Sequence, residues 1–414
     1  MTTTEDRLGA GFAKLWSAAT TSALGNGLAT IAAPLYVASK TGSPLAVAGA
    51  SAVAWLPWLL FALPGGVLVD RLDRRRLMVA IDWVRVAVVG GLAVAMATGH
   101  AGILLLYLAL FVVNTGEIVF RSAAQALIPS LVPLARLERA NGWLFAGTMV
   151  MQQIVAGPLG GFMFAAAAFL PFLVNSGTYA ASAVLTGLVP GDYRIASGDG
   201  PRSWRREMVE GLRWLMHQRL LRTMALLIGL LNVTITAAIS VLVLLARDRL
   251  HLGSVGYGLL FTAMAVGSVL GSVVGDRIIK RVTATWTIRV GLLVEAGTHL
   301  VLAASRNGYV VGAALFAFGV HGSLWGIVGS SLRQRLAPPA LLGRAGSTML
   351  FIAAGGNSLG ALLGGVLAGT FGLTAPYWVG FVVALTVTAM TWRVFDRATV
   401  SAAYADGEAV PTAD

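Results

Sequence analysis

Five groups able to carry or share a proton lie within otherwise apolar stretches of this sequence: Asp82, Glu117, Glu295, His299 and His321. Asp82 with Arg85 and Glu117 with Arg121 stand three and four residues apart, spacings that put each pair on one helix face. Glu295 and His299 are also four apart, close enough along a helix to share a proton. Burying such groups is costly in an apolar medium, which makes them candidates for function as well as for packing. Neutral amides occupy similar runs at Asn26, Asn114, Gln152, Asn232 and Asn357. Amides among apolar walls suit an amphipathic or aromatic ligand better than a multiply charged one. Their plainer use is interhelical hydrogen bonding, worth about 1 kcal/mol each. Other chemistries lack their parts. There is no cysteine, no pair of histidines with metal-ligand spacing and no nucleophile motif, and none of Lys14, Lys40 and Lys280 follows a glycine as a phosphate-binding loop requires. The expectation is no enzyme, no metal and no cofactor.

The elements that position these residues are membrane helices. Of the 414 residues 57% are hydrophobic and 12% charged, about half the charged share of a soluble domain. Apolar residues come in blocks of about 20, the length that crosses a bilayer. The runs place twelve spans at 13–38, 44–69, 77–97, 101–121, 142–168, 171–189, 223–246, 255–275, 286–305, 309–331, 346–370 and 374–395. The first block is too long for a signal-peptide core and has no cleavage site after it, so it stays as a helix. Every second loop is basic, and with the N-terminus inside, 24 of the 30 basic residues fall on the cytoplasmic side. The positive-inside rule then puts both termini in the cytoplasm. A net charge of +12 is therefore topology, and no nucleic-acid partner is expected.

The two halves repeat. Asp70-Arg71 at the end of the second span matches Asp276-Arg277 at the end of the eighth, 206 residues on. Arg139-Ala140 matches Arg344-Ala345 at 205, and Gly160-Gly161 matches Gly364-Gly365 at 204. This register predicts a six-helix bundle over 1–190 and a second over 223–396, enclosing a central site. Between them, 191–222 reads as a linker whose Trp204–Leu221 stretch forms an amphipathic helix on the cytoplasmic face, a tether or a lipid-sensing element. The tail, 397–414, reads as disordered.

The run Gly65-Gly66-Val67-Leu68-Val69-Asp70-Arg71-Leu72-Asp73-Arg74-Arg75-Arg76 resembles the signature loop between helices two and three of the major facilitator superfamily. Leu24-Gly25-Asn26-Gly27, Pro34-Leu35-Tyr36-Val37 and Thr41-Gly42-Ser43-Pro44 are similar to the drug-antiporter branch that contains macrolide-efflux and enterobactin-export proteins. Gly157-Pro158-Leu159-Gly160-Gly161 resembles the Gly-Pro-x-x-Gly motif of antiporters, in which the proline bends the helix and Gly157 and Gly161 admit a close neighbour.

The resemblance implies an all-α fold of two six-helix bundles with a cytoplasmic lock made by Gly66, Asp70, Arg71, Arg74 and Arg75, with Asp276 and Arg277 in the second copy. It places Asn26, Asn114, Gln152, Asn232, His321 and Asn357 on cavity helices, and it favours Glu117 and His321 over Glu295 and His299, because helix nine is peripheral in the family. Relatives often carry aspartate where Asn26 stands, so coupling must fall to another group, with Arg121 beside Glu117 to stabilise its charge. The expected function is secondary export of small amphipathic molecules, a drug or a secondary metabolite, in exchange for protons by alternating access. An importer of a small nutrient is the nearest alternative, and a lipid-handling membrane protein a further one. The expected partners are the substrate, protons and membrane lipids, for a monomer in a bacterial inner membrane; alanine richness with 27 arginines against three lysines fits a GC-rich genome.

Overall fold

The computed structural model describes residues 8–191, 193, 212–338 and 341–395, with side chains other than those of 62–71, 219, 342–345 and 347. All regular structure among them is helical. The helices are α1 (Ala10–Lys40), α2 (Pro44–Arg71), α3 (Arg74–Ala97), α4 (Ile103–Leu131), α5 (Leu137–Met149), α6 (Ala156–Ala166) and α7 (Leu170–Gly187), followed by α8 (Arg219–Ser240), α9 (Leu242–Asp248), α10 (Ser254–Val282), α11 (Ala284–Ala304), α12 (Gly308–Leu336), α13 (Leu342–Phe371) and α14 (Ala375–Thr391). Nine stretches among the described residues are long and apolar enough to cross a membrane, α5 and α6 forming one of them and α8 and α9 another.

Local chemistry fixes several ends. The Asp73 carboxylate accepts from the Arg76 amide at 2.8 Å and caps α3, and Asn307 accepts from the Tyr309 amide at 2.9 Å to cap α12. Pro44, Pro171 and Pro376 sit in first turns, where a missing N–H costs nothing. Arg121 does not end the fourth helix. It lies on an exposed face, and α4 runs ten residues further than the hydropathy pattern gives, through Pro129 to Leu131. Of the expected amphipathic linker helix, Trp204–Leu221, the part 204–211 lies outside the described residues; 212–217 are helical, and Gln218, with extended backbone, separates them from α8. The tail from 396 also lies outside them.

The chain divides into two compact units, one of Met1–Gly42, Val53–Arg202 and Gly253–Thr262, the other of Ser43–Ala52, Ser203–Leu252 and Ala263–Asp414. The first is cored by Phe12, Leu15, Met78, Phe120, Leu127 and Leu144, the second by Leu221, Met224, Ile288, Leu292, Leu332 and Phe395. In the second unit α13 presents Gly356, Gly360 and Gly364 at one-turn intervals to the backbone carbonyls of Gly229, Val233 and Ala237 on α8. No side chain larger than hydrogen fits at those crossings.

Candidate functional site

In the first unit a chain of polar contacts crosses four helices. On α4, Glu117 accepts a 2.8 Å hydrogen bond from the Asn26 amide of α1 and, on the same oxygen, a 3.1 Å bond from Arg85 of α3. Arg85 also donates to Asp82 at 3.2 Å. The Tyr179 hydroxyl of α7 donates to the Asn26 side-chain oxygen, while the Tyr179 ring lies 5.0 Å from the Arg85 guanidinium and Phe120 lies 5.5 Å from it. Asp82 and Arg85 are fully buried, whereas the Glu117 side chain keeps 20% exposure. One guanidinium thus faces two carboxylates, and the carboxylate with access to solvent is Glu117.

That exposure opens on a cavity of about 260 Å³ whose walls come from α1, α4, α5 and the turn that follows α5. Ser22, Glu117, Arg121, Gln125, Asn141, Thr148 and Gln152 supply its polar groups, and Phe120, Leu144 and Phe145 its large apolar ones. The cation that holds Glu117 is therefore Arg85, reached across a helix interface, and not Arg121 one turn along, which lies exposed at the cavity wall. Gln152 sits in a π-helical turn, Val150–Val155. In that turn the Ala156 amide bonds the Met151 carbonyl, five residues back, and Pro158, which has no N–H to give the carbonyl four residues before it, follows within α6. Asn114 does not line this cavity; its amide donates to the Leu110 carbonyl of its own helix at 2.9 Å.

Beyond the π turn, α6 packs on the start of α10. Side chains at Gly157 and Gly161 would strike Gly258, Thr262 and the Ser254 backbone, and the Ser254 hydroxyl donates to the Gly161 carbonyl at 2.8 Å.

In the second unit Glu295 stands between two imidazoles, with His299 3.7 Å from one carboxylate oxygen and His321 3.6 Å from the other. All three are buried. His321 is also flanked by Phe318 and Trp325, each ring 6.1 Å away. The α11 pair and the α12 histidine, expected to act separately, form one cluster. Space for the rings is made by two glycines: a side chain at Gly291 would strike His321 and one at Gly380 would strike His299. Asn357 accepts from Thr236 at 2.8 Å and so ties α13 to α8. Asn232 packs its β-carbon against Gly356 of the same helix pair.

These positions repeat. Asn26 and Asn232 are 206 residues apart, Glu117 and His321 are 204, and Gln152 and Asn357 are 205, the offsets of the duplicated motifs. The sequence contained this signal. Tyr179 and Phe120, which surround Arg85, carried none, because aromatic residues in apolar helices read as packing.

Of the expected lock, the side chains of Gly66, Asp70 and Arg71 lie outside the described residues. Arg74 donates to the Ala126 carbonyl at 2.6 Å and Arg75 to the Val189 carbonyl at 2.8 Å, so both tie the α3 start to neighbouring helix ends. Tyr193 closes the same corner: its amide donates to Asp73 at 3.4 Å, its hydroxyl bonds the Pro190 carbonyl, and burial raises its phenol above the ordinary range. In the second copy Asp276 pairs with Lys280 of its own helix at 2.7 Å, and Arg277 is exposed.

A helical, multi-pass chain with duplicated polar positions in two units is the class that major facilitator transporters define. The chain belongs to that superfamily, in the transmembrane secretion effector family, whose model it matches over residues 9–409. It is 28% identical over 132 residues to macrolide efflux protein A of Streptococcus pyogenes, a match that spans 32% of this chain and 33% of that one. It is 28% identical over 387 residues to the multidrug efflux pump Tap of Mycolicibacterium fortuitum, covering 87% of this chain and 90% of the pump. Among solved structures, the nucleoside transporter NupG superposes with a TM-score of 0.77 at 10% identity, over 94% of this chain and 100% of that one, a likeness of fold alone.

Proposed function

We propose that this protein is a secondary exporter of small amphipathic molecules, drugs or secondary metabolites, that exchanges them for protons by alternating access. The observation that carries the reading is Glu117. It is a carboxylate at the wall of a cavity that combines amides with aromatic and aliphatic surface, and it is held by one cation that it shares with a second carboxylate. A proton on one of the two acids brings the triad to neutrality, so proton and substrate can compete at one place. The family and the efflux function in the names of macrolide efflux protein A and Tap support the outward direction.

The proposal places the protein as a monomer in the bacterial inner membrane with both termini cytoplasmic. The nine apolar stretches together with α1, α7 and α14 make up its twelve crossings, in bundles over 1–190 and 223–396. The candidate substrate contacts are Asn26, Asn114 and Gln152 in the first unit and Asn232, His321 and Asn357 in the second, each set read within its own unit. The loop of Gly66, Asp70, Arg71, Arg74 and Arg75, with Asp276 and Arg277, acts as the cytoplasmic lock, and Gly157, Pro158 and Gly161 form the antiporter motif.

Accumulation of a fluorescent amphipathic dye in cells tests it. Expressing cells should hold less dye than controls, and a protonophore should erase the difference. Energy-dependent accumulation inside would make the protein an importer.

A further inference from the structure

Arg85 and Arg289 stand 204 residues apart, one of the offsets that relate the duplicated positions. At the same offset the two carboxylates that hold Arg85, Asp82 and Glu117, are replaced by Trp286 and His321. Arg289 therefore keeps the charge of its counterpart without either counter-ion, and His321 is engaged with Glu295, 3.6 Å away. Among the described residues no carboxylate pairs with Arg289. What meets its guanidinium is aromatic: the Trp286 ring of α11 at 5.6 Å and the Trp392 ring, just past the end of α14, at 4.6 Å. Nη2 donates to the Trp392 carbonyl at 2.7 Å, and Nε is buried. Nη1 is neither buried nor bonded among the described residues, so one charged donor is open to a ligand.

The position fits a membrane surface. α11 has 21 residues and is apolar enough to cross a bilayer, whose core its length about matches. Arg289 is about 8 Å from its start, a depth from which an arginine reaches the headgroup layer. Trp286, Val290, Leu293 and Leu300 form an exposed apolar stripe along α11 at helical spacing, a face suited to lipid. Tryptophan at both helix ends is the usual composition of the interface. Arg393, next to Trp392 in the chain, is exposed and adds a second positive charge at the same helix end. A cation in a bilayer without an anion is costly, and ring faces do not cancel its charge.

We propose that Arg289, with Trp286 and Trp392 around it, binds the phosphate of an anionic phospholipid whose acyl chain lies along the exposed stripe of α11. Guanidinium and phosphate match in charge and donor geometry, and basic pockets between membrane helices take such headgroups. A zwitterionic headgroup brings its own ammonium and leaves the charge of the site uncancelled. Inorganic phosphate offers the same oxygens but no chain to cover the stripe.

Native mass spectrometry of the full chain in detergent tests this, with phosphatidylglycerol and phosphatidylcholine of the same acyl chains compared. The tightest-bound phosphatidylglycerol should be held about tenfold more tightly than phosphatidylcholine, as one charge-assisted bond implies. Arg289→Gln, which keeps a donor for the Trp392 carbonyl, should remove that tenfold, and Arg289→Lys should restore part of it. Arg213→Gln takes the same charge from an exposed position elsewhere and should change nothing. Trp286→Ala, on the exposed face, should also weaken binding, and it carries the test where Arg289→Gln does not fold. Equal binding of the two lipids, or equal losses in Arg289→Gln and Arg213→Gln, would overturn the proposal and leave only diffuse attraction to a basic protein. Displacement of the lipid by excess inorganic phosphate would overturn it too, making this a site for a soluble anion. The lipid is counted on protein that need not transport, so failure here leaves the export reading standing.

Discussion

The side-chain amide of Asn26 donates to Glu117 at 2.8 Å, so a residue that cannot titrate positions one that can. The resemblance to drug antiporters implies a carboxylate on helix one. Here the carboxylate stands opposite on α4, and the helix-one residue serves as its donor. Tyr179 completes the arrangement by donating to the other end of the same amide, which fixes which way Asn26 points.

Glu117→Gln should abolish uphill efflux driven by a pH gradient in inside-out vesicles while downhill exchange of the same dye persists. Uphill pumping at the normal rate would make Glu117 structural.

Asn26→Ala leaves one Glu117 interaction and the Tyr179 hydroxyl without their partner. A loss of about 1–3 kcal/mol is expected, seen as a lower melting temperature in detergent. An unchanged melting temperature would mean that water replaces the amide at no cost.

Gly291→Ala and Gly380→Ala reverse the usual helix rule. Alanine normally stabilises a helix interior over glycine by about 1 kcal/mol. Here the added methyl meets an imidazole ring in each case, so both variants should melt lower, by about 1–3 kcal/mol of overpacking. Gly297→Ala, where nothing lies within 4 Å, is the control and should not fall.

Glu295→Gln and His321→Gln separate the two halves. If the proton travels through the first unit, both variants keep uphill efflux whenever they reach the membrane. Loss of uphill efflux with downhill exchange intact would move the proton to the second unit.

Asp70→Asn should cut dye efflux while the amount of protein in the membrane stays normal. Full efflux by that variant would reduce the loop to a topological signal.

Helix positions were legible because blocks of apolar residues are a one-dimensional property. Their ends were less so: Arg121 read as a boundary, yet a long helix carries a cation wherever one face is exposed. Pairing followed the same division. Glu295 and His299 are four apart and visible as a pair, whereas Arg85 and Glu117 are 32 apart and meet only because α3 packs on α4. His321 was singled out alone because nothing in its own neighbourhood points to Glu295. Gly291, which makes room for the His321 ring, is the trace of that contact in the sequence, and a glycine does not say which ring it admits.

The glycine ladder of α13 against α8 has a mechanical meaning. Helices that meet through side chains can slide by exchanging rotamers, whereas backbone seated against backbone has no rotamers to exchange. Gly356, Gly360 and Gly364 therefore weld the two helices into one stiff lever, and displacement of α8 must carry α13 with it.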